Sequence, residues 1–131
     1  MAKRYKYTQR TLAEIKKLGY EVGIVERFIA QAGRFGKKID LFGFGDLIYL
    51  DTKAKQIVIV QSTGQHGHAA HRHTILHKCR RAAKRWLKCQ GRIELWSWRL
   101  LLVKRGGKLR RWTPRIEEIT LDSLLQARKE G

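Results

Sequence analysis

The strongest constraint on this chain lies between residues 46 and 60. Two short apolar runs, Leu47-Ile48-Tyr49-Leu50 behind Asp46 and Ile57-Val58-Ile59-Val60, flank six polar or small residues. Apolar runs of this length without polar alternation are what strands covered on both faces require. The polar spacer makes the pair a hairpin over 46–50 and 57–60. Both strands of the pair read as buried on both faces in this chain. At 131 residues it holds one hydrophobic core, and residues 1–131 are read as a single domain.

The rest of the pattern is arranged around that hairpin. Thr8 is placed as the N-cap of a first helix over 9–18, in which Leu12, Ile15 and Leu18 share a face and Gly19 supplies the stop. Residues 20–29 mix β-branched and charged residues and read as an edge strand. Gly33, Gly36 and Gly43 among charged residues make 31–44 a loop or tight bend. An amphipathic helix over 69–90 follows, with Leu76, Cys79, Ala83, Trp86 and Leu87 on one stripe and His77, Arg81, Lys84, Arg85 and Lys88 opposite. A strand over 93–103, a turn at Gly106-Gly107, a short strand over 110–113 and a helix from Asp122 complete the chain. Leu121, Leu124 and Leu125 at that end of the chain either cover the core or pair two copies.

Charge narrows the function classes. Lys and Arg number 29 against 11 Asp and Glu, a formal net charge of +18. So much like charge on a small body repels itself and is normally offset by a polyanion, so DNA or RNA is the expected partner. The excess is localised: between His66 and Arg111 the sole acid is Glu94, while Arg72, Lys78, Arg80, Arg81, Lys84, Arg85, Lys88, Arg92 and Arg99 accumulate. A solvated face kept for solubility, or a face for anionic lipid, is the competing reading. Trp86, Trp96, Trp98 and Trp112 could stack on bases, but their periodic placement favours core packing.

Several chemistries find no support. No apolar stretch is long enough to span a membrane, and the charges of Met1-Ala2-Lys3-Arg4-Tyr5-Lys6 have no apolar core behind them, so an unexported cytoplasmic protein is expected. Cys79 and Cys89, ten residues apart on one helix, are separated by about 15 Å of rise and are expected to be reduced packing residues. His73 and His77 are four apart and could share a transition metal, but there is no HExxH pattern or cysteine pair. Phosphate contact or helix-start polarity is preferred for His66, His68, His71, His73 and His77. Nucleotide-cradling loops, dinucleotide fingerprints and a Ser-His-Asp order are not seen.

The order helix, three strands, helix, strand brings a family into view. Over residues 8–119 the chain resembles the PD-(D/E)XK nuclease superfamily, whose fold also serves archaeal and phage Holliday-junction resolvases; the resemblance implies an α/β, restriction-endonuclease-like αβββαβ core with a mixed central sheet flanked by helices. In that superfamily an acid opens the second strand and a D/E-x-K tripeptide lies on the third. Asp46, in Phe42-Gly43-Phe44-Gly45-Asp46, matches the acid, and Gln61-Ser62-Thr63, after Val58-Ile59-Val60, matches the tripeptide. The stretch Lys38-Ile39-Asp40-Leu41-Phe42-Gly43 is similar to phage members of the VRR-NUC and resolvase branches.

The resemblance implies a Mg²⁺- or Mn²⁺-dependent endonuclease acting on duplex or branched DNA, in a bacterial, archaeal or phage-infected cell. It assigns metal binding to Asp46, Gln61 and the Ser62 carbonyl, and adds Thr63 and Glu14 as catalytic candidates. The family's second carboxylate is Gln61 here and its lysine is Thr63, so Lys37, Lys38 or Arg72 would have to take the lysine's part. Lys37, Lys38, Arg72, His77, Arg81, Lys84, Arg85 and Lys88 are the expected nucleic-acid contacts. Asp40 reads as a loop residue pairing Lys37 or Lys38. Symmetric cutting by resolvases goes with two-fold pairing, so a homodimer is compatible with this branch. The alternative is a nucleic-acid-binding protein that keeps the fold without the chemistry.

Overall fold

The computed structural model describes residues 3–30 and 36–130, with the side chains of the first helix from Lys6 onward. In chain order the elements are α1 (Lys3–Lys17), β1 (Val22–Ile24), β2 (Arg27–Ile29), β3 (Lys37–Ile39), β4 (Leu47–Asp51), β5 (Gln56–Gly64), α2 (His68–His73), α3 (Arg80–Lys88), β6 (Arg92–Leu102), β7 (Arg110–Ile119) and α4 (Leu121–Glu130). A 3₁₀ turn, Gln65–Gly67, precedes α2, and a π turn, Thr74–Lys78, separates α2 from α3. The protein is a mixed α/β structure around a five-stranded sheet in the order β1-β4-β5-β6-β7. Only β5 and β6 run parallel; the other neighbours are antiparallel. The helical crossover from β5 to β6 is what parallel neighbours need.

The hairpin read from the two apolar runs is present, and it is the middle of the molecule. Val58 and Val60 pack with Ile15, Leu47, Tyr49, Trp96 and Trp98 on the α1 side. Ile59, one residue out of phase, packs on the other side with Phe44, Ile75, Leu76, Ala83, Ile93 and Leu124. Val58, Ile59 and Val60 are all fully buried, as a strand between two helical layers must be. Trp96 and Trp98 belong to the core, as their periodic placement implied.

Other boundaries differ from expectation for identifiable reasons. Thr8 is no cap: α1 starts at Lys3, well before it, because Tyr7 already packs on the Val60 cluster, and Thr8 is buried inside the helix. The edge strand expected over 20–29 is two strands in two sheets. The N–H groups of Val25 and Glu26 both donate to the Asp46 carbonyl, at 2.9 and 3.3 Å, and bend the chain out of the main sheet. There β2 pairs with β3, a strand inside what read as loop; residues 31–35 of that expected loop lie outside the described residues. The long helix is interrupted: the Cys79 N–H reaches back to the Thr74 carbonyl at 2.8 Å, the i to i−5 closure of a π turn. The short strand over 110–113 continues to Ile119. Pro114 lies within it, which is allowed because β7 pairs on one side alone, and an edge strand tolerates a missing N–H that faces solvent.

Beyond Trp98, the last residue opposite β5, β6 and β7 continue as a two-stranded ribbon. Leu100, Leu101, Leu102 and Leu109 on it are exposed. In α4, Leu124 is buried in the core, whereas Leu121 and Leu125 are exposed.

Ile59 touches both the turn before β4 and the helices behind it. Ile59→Ala is expected to lower stability by about 2–5 kcal/mol, read as a reduced denaturation midpoint in thermal or urea unfolding.

Candidate functional site

Asp46 stands at the entrance to β4 and is fully buried. Its position is determined from both directions. Its N–H donates to the Val60 carbonyl at 2.8 Å, and its Oδ2 accepts the Ser62 N–H at 2.8 Å. The carboxylate is therefore bonded to the backbone of the tripeptide 61–63. Gly45 permits this approach, since a Cβ there would collide with the Ile59 side chain.

The second oxygen of Asp46 faces Lys38. Lys38 Nζ lies 3.1 Å from Asp46 Oδ1, 2.7 Å from Glu26 Oε2 and 3.3 Å from Asp40 Oδ1. The three carboxylates converge so closely that one oxygen from each lies within 4.8 Å of the others. In a chain with 29 basic and 11 acidic residues this is a concentrated pocket of negative charge. Lys38 is thus an internal partner of the acids, as the pairing with Asp40 anticipated. Lys37, its neighbour on β3, is exposed.

Burial first, and the neighbouring Asp40 carboxylate second, hold the Asp46 carboxyl well above the ordinary carboxylate range, although Lys38 and the Ser62 N–H pull the other way. Lys38 is shifted upward: partial burial disfavours its charge, but Asp46, Glu26 and Asp40 outweigh that effect. Three carboxylates against one ammonium leave two negative charges uncompensated when all are ionised. A proton on Asp46 or an added cation relieves that excess.

The tripeptide side chains alternate across β5. Ser62 Oγ donates to Thr11 Oγ1 at 2.8 Å on the α1 side. Gln61 and Thr63 share the parity of Ile59 and so take the opposite face. Gln61 is 2% exposed, and its Oε1 has no hydrogen-bond partner. Thr63 lies beneath the 3₁₀ turn, with its Oγ1 against Gly67. Glu14 is half-buried on α1, and the carboxylate cluster found among the described residues does not include it. Ser62 contributes its N–H to Asp46, a role distinct from the metal-facing carbonyl expected of it.

Several expected nucleic-acid contacts have internal partners. Arg72 Nε donates to Glu117 Oε2 at 2.7 Å. His68, which read as a phosphate contact or helix-start polarity, is buried between Ser97 Oγ, 2.7 Å from Nδ1, and Glu117 Oε1, 2.8 Å from Nε2. Arg80 donates to the Leu124 carbonyl at 2.6 Å, and Arg92 joins Tyr49, Asp51, Gln56 and Glu94. Exposed on the helical surface are His77, Lys78, Arg81, Lys84, Arg85 and Lys88. The π turn keeps them from forming the single straight stripe that a regular helix would carry. His73 and His77 sit with ring centroids 4.3 Å apart. Both cysteines are free, but Cys89 is exposed where packing was expected.

Sequence reasoning missed Glu26, Glu117 and the clustering of Asp40 with Asp46. Their scarcity was the available signal, because an acid retained in so basic a chain tends to have a fixed partner. No family model, curated protein or solved structure matches the chain. No helix among the described residues is long and apolar enough to cross a membrane.

Two outcomes test these electrostatics. Because folding raises the Asp46 pKa, the folded chain binds more protons than the unfolded one just above the ordinary value of 3.8, and stability falls as pH rises through that window. Asp46→Asn is therefore expected to melt above the wild type at mildly alkaline pH, with the gap closing towards pH 3.8. Glu117 is shifted the other way: burial opposes its charge, but Arg72 and His68 outweigh it and lower the pKa. Its stabilising effect is present above the ordinary carboxylate range and is lost as pH falls through the lowered value. Glu117→Gln is expected to cost about 1–2 kcal/mol at neutral pH, discounted for the exposure of Arg72, and less in acid, measured by chemical denaturation at two pH values.

Proposed function

We propose that the protein is a divalent-metal-dependent nuclease whose catalytic centre is the Asp46 cluster, on a core of the restriction-endonuclease type. The observation that carries this reading is the buried Asp46 carboxylate, tied to the tripeptide backbone at Ser62 and joined by Glu26, Asp40 and Lys38. The order α1, β1, β4, β5, helical crossover, β6 supports the core assignment.

The residues fit a hard cation. Every candidate ligand is an oxygen, the cluster has excess negative charge, and the buried Gln61 Oε1 lacks a partner on the strand that Asp46 grips. Asp46, with Asp40, Glu26 and Gln61 as the neighbouring oxygen donors, would hold Mg²⁺ or Mn²⁺. When bound, such an ion polarises a phosphoryl oxygen and lowers the pKa of a coordinated water.

The chain's own groups have separable parts. Ser62 N–H orients the Asp46 carboxylate and leaves its other oxygen directed at the cluster. Lys38 Nζ, 3.1 Å from that oxygen, supplies the positive charge that Thr63 cannot, where charge builds on the phosphoryl group. The exposed cations of α3 and of the β6–β7 ribbon hold the phosphate backbone, DNA being the expected partner. A second reading, a nucleic-acid-binding module without chemistry, is favoured by Lys38 itself: its ammonium lies within ion-pairing distance of all three carboxylates and so occupies the place between them that a metal cation would take.

A plasmid-nicking assay separates the two. Wild type is expected to nick in Mg²⁺ or Mn²⁺, with Asp46→Asn and Lys38→Ala each reducing the rate by about 10²–10³-fold. Equal nicking by wild type and Asp46→Asn discards the site. Salt-dependent DNA binding without nicking in either metal selects the binding module.

A further inference from the structure

The turn joining Asp40 to Asp46 bends tightly. Leu41 and Gly45 exchange backbone hydrogen bonds, both at 2.8 Å, and two consecutive residues between them have positive φ, Phe42 at 56° and Gly43 at 87°. Gly43 suits that conformation and the close approach of Cys79, whose Sγ would stand 2.9 Å from a Cβ there. Phe42 does not: a bulky residue with positive φ is a strained exception. Nor is burial the compensation, since the residue is 55% exposed. The strain displays an aromatic face to solvent beside the carboxylate cluster.

Phe42 borders a cleft of about 610 Å³ between this turn and α3, within the roughly 300–1,000 Å³ range of small-molecule sites. The rings of Phe42 and Trp86 meet in it, with centroids 6.1 Å apart and planes 57° apart. Trp86 is held by its Nε1–H, which donates to the Arg92 carbonyl at 3.0 Å. Lys78, Arg81 and Arg85 line the same cleft, and no acidic residue does. Aromatic faces among exposed cations complement an occupant that is flat and apolar in one part and anionic in another. A nucleotide has that form. In a continuous duplex the base faces are covered by their neighbours, so a base must be unpaired or turned out to reach these rings.

We infer that the Phe42–Trp86 cleft receives an unpaired nucleotide next to the Asp46 cluster, its base on the two rings and its phosphate on Arg81 and Arg85. The protein therefore favours nucleic acid with a single-stranded or disrupted position over uninterrupted duplex. This rests on the nucleic-acid part of the function proposed above and not on cleavage. Phe42 is the recognition residue, and the rigid turn couples a base in the cleft to a phosphate near Asp46.

Fluorescence anisotropy with a labelled single-stranded oligonucleotide and a blunt duplex of equal length, in metal-free buffer, tests the inference. Phe42→Ala and Phe42→Leu are expected to weaken single-strand binding by about 5- to 100-fold and to leave duplex binding unchanged, with Phe42→Tyr restoring the wild-type value. Leucine keeps apolar bulk without a π-face, so wild-type affinity in Phe42→Leu overturns the stacking role. Equal losses on both probes, or none on either, also overturn it. A wild type that binds neither probe removes the nucleic-acid reading as well, whereas selective loss without nicking in any metal removes only the nuclease.

Discussion

A buried carboxylate bonded to a backbone N–H is the interaction on which the rest of the structure turns. Asp46 has its carbonyl engaged by the bend after β1, its N–H by β5, one side-chain oxygen by Ser62 and the other by Lys38. Four directions converge on one residue with no exposed surface. Removing such a group from water is costly unless its polar atoms are met, and here they are met by elements distant in sequence. The same contacts hold β3, the turn after it and the main sheet in one arrangement.

That arrangement separates the two signs of charge. The three acids are turned onto Lys38, while Arg81, Lys84, Arg85 and Lys88 of α3 are exposed. The Glu117 group lies on the same helical side, clasping His68 and Arg72 of α2 to β7. It takes Arg72 out of the free basic surface and ties the edge strand to the helical layer.

The central hairpin was legible because burial on both faces leaves one signature, an apolar run without alternation, and 57–60 carries it. Asp46 was legible too, as the acid at the mouth of a buried strand after a glycine. The place of Glu26 was not, and Lys38 was not separable from Lys37, because Glu26 sits in the bend before β2 and Lys38 on β3, strands of three residues each and too short to show a period. The π turn was equally hidden. It is set by packing of the consecutive buried residues Ile75 and Leu76, and one inserted residue leaves the apolar stripe intact to the eye.

The far edge of the sheet has a consequence for the chain in isolation. A ten-residue strand paired on one side is a template on which other molecules can add, and Ile116 on β7 is exposed. Arg110, Arg111 and Arg115 ride on that strand with Pro114. The guanidinium row makes each copy push away the next, and the proline interrupts any new ladder that begins. The surplus of cations thus also acts as a guard against self-aggregation when no polyanion is at hand.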